Sequence, residues 1–161
     1  MQQLTHLNTA GEAHMVDVSG KTETDRTAEA RSVVQVTPIV LSAITNDKLP
    51  KGDLYASARI AGIQAAKRCS ELIPLCHSLP LSSVVIEIEL KGDCLLINVV
   101  CKTMGRTGVE MEALTAASIA ALTIYDMCKS LDKGVVIRDT RLIRKSGGKS
   151  GEWYTEEGYE G

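Results

Sequence analysis

Aromatic residues are scarce in this chain of 161 residues, which contains no phenylalanine, one tryptophan and four tyrosines. A close-packed core must therefore be built from Val, Ile, Leu and Ala. Positive charge is not in excess either, and a net charge of −2 gives no field for general binding of nucleic acids. The length, with 44% hydrophobic and 24% charged residues, suits one globular domain, which we expect to span residues 1–161.

Long hydrophobic runs and paired cysteines are also missing. The uncharged stretch at 113–125 has thirteen residues, too few to cross a bilayer. The first residues lack a basic stretch followed by an apolar run, so we expect no signal peptide. The five cysteines form no C-x-x-C pair, which predicts reduced thiols and a cytoplasmic location. Because the three histidines lack ligand spacing, we predict no metal site.

The hydrophobic patterns predict an α+β fold with one antiparallel sheet. We expect strands at 32–37, 84–90, 94–101 and 134–144, and helices at 38–44, about 53–70 and 107–129. This β-α-β-β-α-β order is that of a ferredoxin-like fold, with the helices on one face of the sheet. Outside it we expect an irregular arm over about 1–30 and a mobile tail over about 146–161.

The predicted helix at 107–129 is apolar on most sides, yet it carries four ionisable residues. Glu110 has the S/T-x-x-E spacing of a capping box, so it is either a cap or a ligand. Glu112 suits the dipole of the first turn, but its apolar neighbours favour a site. Asp126 stands near the helix end, where negative charge is unfavourable. It either pairs locally with Lys129 or is an acid/base carboxylate held by that lysine.

The segment 72–77 is an apolar connector that ends in Cys76 and His77. Adjacent residues of an extended chain point in opposite directions, so we expect no Cys–His nucleophilic dyad. His77 is either a ligand-binding or proton-transferring group or a buried histidine with satisfied hydrogen bonds.

Residues 138–149 carry five Arg or Lys and one Asp. They are either a binding patch for a phosphorylated small molecule or a solvated strand end. The stretch 146–150 is not a P-loop, since Ile143 stands in place of the first glycine of that motif and no apolar helix follows.

Several longer strings closely resemble the family of cyclic pyranopterin monophosphate synthase, the accessory protein C of molybdenum cofactor biosynthesis. They lie at residues 11–19, 51–68, 72–77, 107–116, 124–129 and 145–151. The resemblance covers nearly the whole chain in order. It departs at Ser78, where the family usually has Pro, and at Arg106, where Lys is common.

The resemblance implies conversion of 3′,8-cyclo-7,8-dihydroguanosine 5′-triphosphate to cyclic pyranopterin monophosphate and diphosphate, without an intrinsic cofactor or metal. Whether Mg²⁺ accompanies the triphosphate is left open. Lys51 and Lys129 would be the general acid/base pair, a role that needs lowered amine pKa values, with Asp126 assisting Lys129. The residues implied in substrate binding are Leu75, Cys76, His77, Met111, Glu112 and, with an alternative role as a cap, Glu110. Our own hypothesis adds Arg26 and the basic C-terminal strand as the phosphate site.

The resemblance also implies a hexamer built from dimers, with sites at subunit interfaces, and functional coupling to a radical-SAM GTP 3′,8-cyclase. The helix geometry favours such an arrangement. Glu112 and Asp126 are fourteen residues apart, about 21 Å along a helix, so one pocket does not easily reach both. Either they contact opposite ends of an extended nucleotide, or each site takes one of them from each of two subunits.

Two other classes of protein share this topology. An RNA-recognition module needs exposed aromatic residues on its sheet, and the four predicted strands contain none. A regulatory small-molecule-binding domain is the stronger rival, but it would not need Lys51, Asp126 and Lys129 together.

Overall fold

The computed structural model describes residues 6–155 and contains a five-stranded antiparallel sheet. Its elements are β1 (Thr24–Gln35), α1 (Pro38–Thr45), α2 (Leu54–Lys67), α3 (Cys69–Leu72), β2 (Leu81–Lys91), β3 (Cys94–Gly105), α4 (Glu110–Cys128), β4 (Val136–Ser146) and β5 (Trp153–Tyr154). The strand order β2-β3-β1-β4-β5 contains the ferredoxin-like order, and α2 and α4 pack on the sheet and on each other. The predicted α+β fold is confirmed. The outermost parts of the predicted arm and tail, residues 1–5 and 156–161, lie outside the described residues.

The hairpin of β2 and β3 forms as the alternating pattern predicts. Ile86 of β2 is buried and lies opposite Val99 of β3, while Glu87 and Glu89 are exposed. Gly92 supplies the turn with a φ of 60°, a left-handed conformation that glycine adopts without strain. The hairpin is therefore half buried, with its acidic residues outward.

The first strand begins earlier than the sequence indicated. The strand predicted at 32–37 overlaps β1, but its bounds were wrong, because β1 begins at Thr24 and ends at Gln35. Residues 24–30, which were expected in the irregular arm, are therefore strand. Ala28 and Ala30 of this strand are buried, although alanine by itself has little preference for strands. Pairing with β3 on one side and β4 on the other stabilises this stretch. The extension matters because it places Arg26 on a strand.

The start of α2 follows the prediction, and the start of α4 does not. The carboxylate of Asp53 accepts a hydrogen bond from the Ala56 amide at 2.9 Å and caps α2. The predicted capping box at α4 is wrong, since the N-cap is Val109 and no side chain caps it. Glu110 instead lies against Gly108, where a Cβ would meet its carboxylate.

Small residues allow α2 and α4 to approach closely. Gly62 of α2 faces Ala116 and Ala120 of α4, and a Cβ at position 62 would lie 3.0 Å from the Ala116 carbonyl oxygen. The same Cβ would also overlap the side chain of Ile86. As expected from the missing phenylalanine, the buried core consists mostly of Val, Ile, Leu and Ala.

We expect Gly62→Val to destabilise the protein by about 1–3 kcal/mol, because the added methyl groups overpack the contact between the two helices. Gln64→Val is the matched control, since position 64 of α2 is exposed. Denaturant unfolding of the two variants measures the difference. Equal denaturation midpoints for the two variants would show that the close contact between α2 and α4 does not contribute to stability.

The tail is not wholly irregular. Trp153 and Tyr154 form β5, which pairs with Lys145 and Arg144 of β4. The guanidinium of Arg144 stacks over the Tyr154 ring at 5.4 Å and forms an ion pair with Glu152 at 3.2 Å. Part of the predicted tail therefore forms a strand, and two exposed aromatic side chains join the sheet. No helix among the described residues could cross a membrane.

Candidate active site

The C-terminal end of α4 holds a triad of charged residues. Both carboxylate oxygens of Asp126 are paired at 2.7 Å, one with the Lys51 ammonium and the other with that of Lys129. The Lys51 ammonium also donates to the backbone carbonyl of Asp126 at 2.8 Å. The local pair with Lys129 thus exists, and a second lysine joins it from the loop before α2. We call this group the lysine triad.

The triad sets the protonation state of two of its members. Hydrogen bonds from Lys129 and Lys51 lower the pKa of Asp126 to about 2. The same hydrogen bond to Asp126 raises the pKa of Lys129. The lowered amine pKa expected for an acid/base lysine is therefore not found at Lys129, whose ammonium is stabilised. This state suits a proton donor.

The titration of Asp126 provides a test. A carboxylate whose pKa is lowered in the folded state contributes stability that is present above its unfolded value, near pH 4, and is lost as the pH falls towards 2. We expect an NMR titration midpoint near 2 for Asp126, rising towards 3.8 in a Lys51→Met/Lys129→Met variant. Asp126→Asn should flatten the stability profile between pH 4 and 2. A titration midpoint near 3.8 for Asp126 in the parent protein would contradict its hydrogen bonds with Lys51 and Lys129.

A cavity of about 310 Å³ lies at the other end of α4. We call it the inner cavity. It is lined by all six residues that the family resemblance implies in substrate binding, namely Leu75, Cys76, His77, Glu110, Met111 and Glu112. The connector after α3 provides the first three, and the first turn of α4 provides the others. The fold therefore brings the two sequence motifs together.

Glu112 is the buried ionisable group of the inner cavity, while Cys76 and His77 are partly exposed. Glu112 is only 4% exposed, and burial raises its pKa, although a hydrogen bond from its own backbone amide opposes the shift. Nε2 of His77 must donate to the Val16 carbonyl oxygen at 2.7 Å, which leaves Nδ1 as an acceptor in the neutral ring. Burial also raises the pKa of Cys76, which disfavours a thiolate nucleophile.

A second cavity of about 740 Å³ adjoins the first. Lys21, Thr107, Gly108 and Glu110 line both, so the two are direct neighbours. Its charged lining consists of five cations and one acid, namely Lys21, Arg26, Arg106, Lys145, Lys149 and Glu110. We call it the basic cavity. Its charge suits an anion with several phosphate groups.

The structure thus separates the predicted residues into two groups. Arg26 and the inner-cavity residues line adjoining cavities, whereas the lysine triad lies near the far end of α4. Sequence reasoning missed Thr107 and Gly108 as lining residues. Lys145 and Lys149 belong to the basic stretch 138–149 that was predicted as a phosphate site, whereas Lys21 was not predicted to join it. Their convergence depends on the true start of β1 and on the loop after β4, which no local pattern indicated.

The described residues contain no group of three or more His, Cys, Asp or Glu side chains placed to hold a metal ion. All five cysteines are free. The fold is an α+β domain with two adjoining cavities whose size and charge suit a small anionic ligand. Residues 15–148 match the model of the MoaC family, and the chain belongs to that family. Its role is therefore in molybdenum cofactor biosynthesis.

Proposed function

We propose that this protein is a cyclic pyranopterin monophosphate synthase, a lyase that converts 3′,8-cyclo-7,8-dihydroguanosine 5′-triphosphate to cyclic pyranopterin monophosphate and diphosphate. The observation that carries the proposal is that the two cavities adjoin and share four lining residues. The inner cavity offers a buried carboxyl group and apolar walls to a purine-derived ring. The basic cavity offers five cations to the triphosphate. A ring with a triphosphate requires these two environments side by side.

The lysine triad is proposed to supply the proton transfers. The protonated Lys129 acts as general acid, and Lys51 acts as its partner in acid/base catalysis. Asp126 holds both ammonium groups 2.7 Å from its oxygens. The proposal invokes no organic cofactor and no resident metal.

A second copy of the chain is proposed to complete each site. Glu112 and Asp126 lie about 21 Å apart along α4, and Ile60 and Leu122 leave apolar surface exposed on α2 and α4. A homo-oligomer, proposed to be a hexamer of dimers, would bring the lysine triad of one copy to the cavities of another. We further propose a cytoplasmic enzyme that receives its substrate from a radical-SAM GTP 3′,8-cyclase.

Incubation of the purified protein with the cyclised GTP substrate tests the proposal. We expect stoichiometric diphosphate and a product that oxidises to a fluorescent pterin. The rival function, a regulatory binding domain, would show saturable binding of the same compound without either product. That result would overturn the proposed activity.

A further inference from the structure

Arg26 of β1 is held by backbone atoms in the basic cavity. Its Nε donates to the carbonyl oxygen of Gly105 at 3.3 Å. Among residues 6–155, no carboxylate forms a salt bridge with Arg26. The guanidinium is half buried. Its charge is therefore left for a ligand in the cavity.

Two glycines after β4 cross directly over this part of β1. Gly147 and Gly148 have φ values of 101° and 72°, a region that side chains rarely adopt. A Cβ at position 147 would collide with the backbone carbonyl of Asp25. A Cβ at position 148 would lie 2.9 Å from Nη2 of Arg26, and closer still to its Cζ and Nη1. The backbone of Gly148 thus occupies the space that would otherwise let the guanidinium move.

We infer that Gly148 is a positioning residue for phosphate binding. Because Gly148 has no side chain, its backbone lies close enough to fix the guanidinium of Arg26 against the carbonyl oxygen of Gly105. The inference rests on the proposed function for the phosphate-bearing ligand. An arginine side chain carries about 2 kcal/mol of rotamer entropy when free. Fixing it before the ligand arrives lowers the cost of binding. The substitution Gly148→Ala would displace the guanidinium at the end of the flexible Arg26 side chain. We therefore expect it to change the position of Arg26 more than the stability of the fold.

The chain provides a matched control. Gly151 also has a left-handed φ, 61°, but a Cβ there would meet nothing within 4 Å. Gly148→Ala and Gly151→Ala therefore impose similar backbone strain, and only the first disturbs Arg26. Inorganic triphosphate, titrated calorimetrically at fixed ionic strength, is the binding probe. Steady-state kinetics with the cyclised GTP substrate provide a second readout.

We expect Gly148→Ala to weaken triphosphate binding about tenfold or more, in line with the loss of a charge-assisted hydrogen bond. It should raise KM by a similar factor and leave kcat within about twofold, because the proposed proton transfers occur elsewhere. Gly151→Ala should change neither quantity by more than about twofold. In the Arg26→Ala background, Gly148→Ala should have little further effect, since both substitutions remove the same contact.

Additive losses from Gly148→Ala and Arg26→Ala would overturn the inference, as would equal effects of Gly148→Ala and Gly151→Ala. Failure of the parent protein to bind triphosphate would overturn it as well. Binding of triphosphate with the expected pattern but without pterin formation would overturn the proposed enzyme activity alone. Turnover with an unaffected KM in Gly148→Ala would overturn only the role of Gly148.

Discussion

Replacing Lys129 with methionine should lower kcat by about 10²–10⁴-fold, the range typical of a lost general acid or base. Methionine keeps most of the length and apolar bulk of the side chain and removes its proton. The ammonium lies at the protein surface, with its side chain 50% exposed, so the fold should be unchanged. Steady-state kinetics with the cyclised GTP substrate provide the measurement. Lys133→Met, which replaces an exposed lysine outside the triad, should leave kcat unaltered.

The pH dependence of kcat shows whether Lys129 donates a proton as a general acid or only contributes a positive charge. The hydrogen bond to Asp126 raises the pKa of Lys129, so the proton stays on the amine to higher pH. Asp126→Asn removes that effect. We therefore expect the alkaline limb of the kcat profile to move to lower pH in Asp126→Asn. An unmoved limb, or a Lys129→Met variant with nearly full kcat, would contradict the assignment of Lys129 as the acid.

Mixing two impaired variants tests where the triad acts. Lys129→Met and Glu112→Gln remove residues from opposite ends of α4. If each site combines the triad of one copy with the inner cavity of another, a mixed oligomer contains some sites with both residues intact. Partial recovery of turnover after co-refolding supports that arrangement. No recovery, with mixed oligomers demonstrated, would place the whole site in one chain.

The secondary structure was readable from the sequence where one strong local pattern dominated. In β2 the apolar residues Ile86, Ile88 and Leu90 alternate with Glu87 and Glu89, and Asp53 occupies a cap position before a helical stretch. The start of β1 was not readable in this way. Thr24 to Ala30 consist of small and polar residues whose strand conformation depends on pairing with β3 and β4.

The candidate site was predictable in its residues and less so in its layout. The spacing of Glu112 and Asp126 along one helix indicated that one pocket does not easily reach both. It left open whether they contact opposite ends of a nucleotide or belong to sites shared by two subunits. The meeting of Arg26 with Gly148 could not be foreseen, because it joins residues more than 120 positions apart. Only the sheet register, in which Thr27 lies opposite Ser146, brings the two segments together. The loss of the capping box likewise depends on tertiary surroundings, since Glu110 turns towards Lys145 at 4.0 Å.

Glu112→Gln should raise the stability of the free protein at pH 7 while it lowers activity. Burial raises the pKa of this carboxyl group in the folded state, so its charged form is penalised above that pKa. Removing the charge removes the penalty. The nearby start of α4 favours a negative charge, but the raised pKa shows that burial outweighs that attraction. We expect a higher Tm for Glu112→Gln at pH 7, with the difference shrinking as the pH falls towards 4 and the parent residue becomes protonated.

The same substitution should lower kcat/KM by about 10–100-fold, because a glutamine amide cannot replace the charge-assisted hydrogen bonds that a carboxylate makes to ring N–H groups. Glu110→Gln is the control for stability, since Glu110 is only half buried and its replacement should leave Tm nearly unchanged. A lower Tm for Glu112→Gln would show that the carboxylate stabilises α4. A higher Tm with full activity would show that the substrate does not use it. A higher Tm together with lost activity would mean that the fold bears an unfavourable buried charge because the ligand requires it.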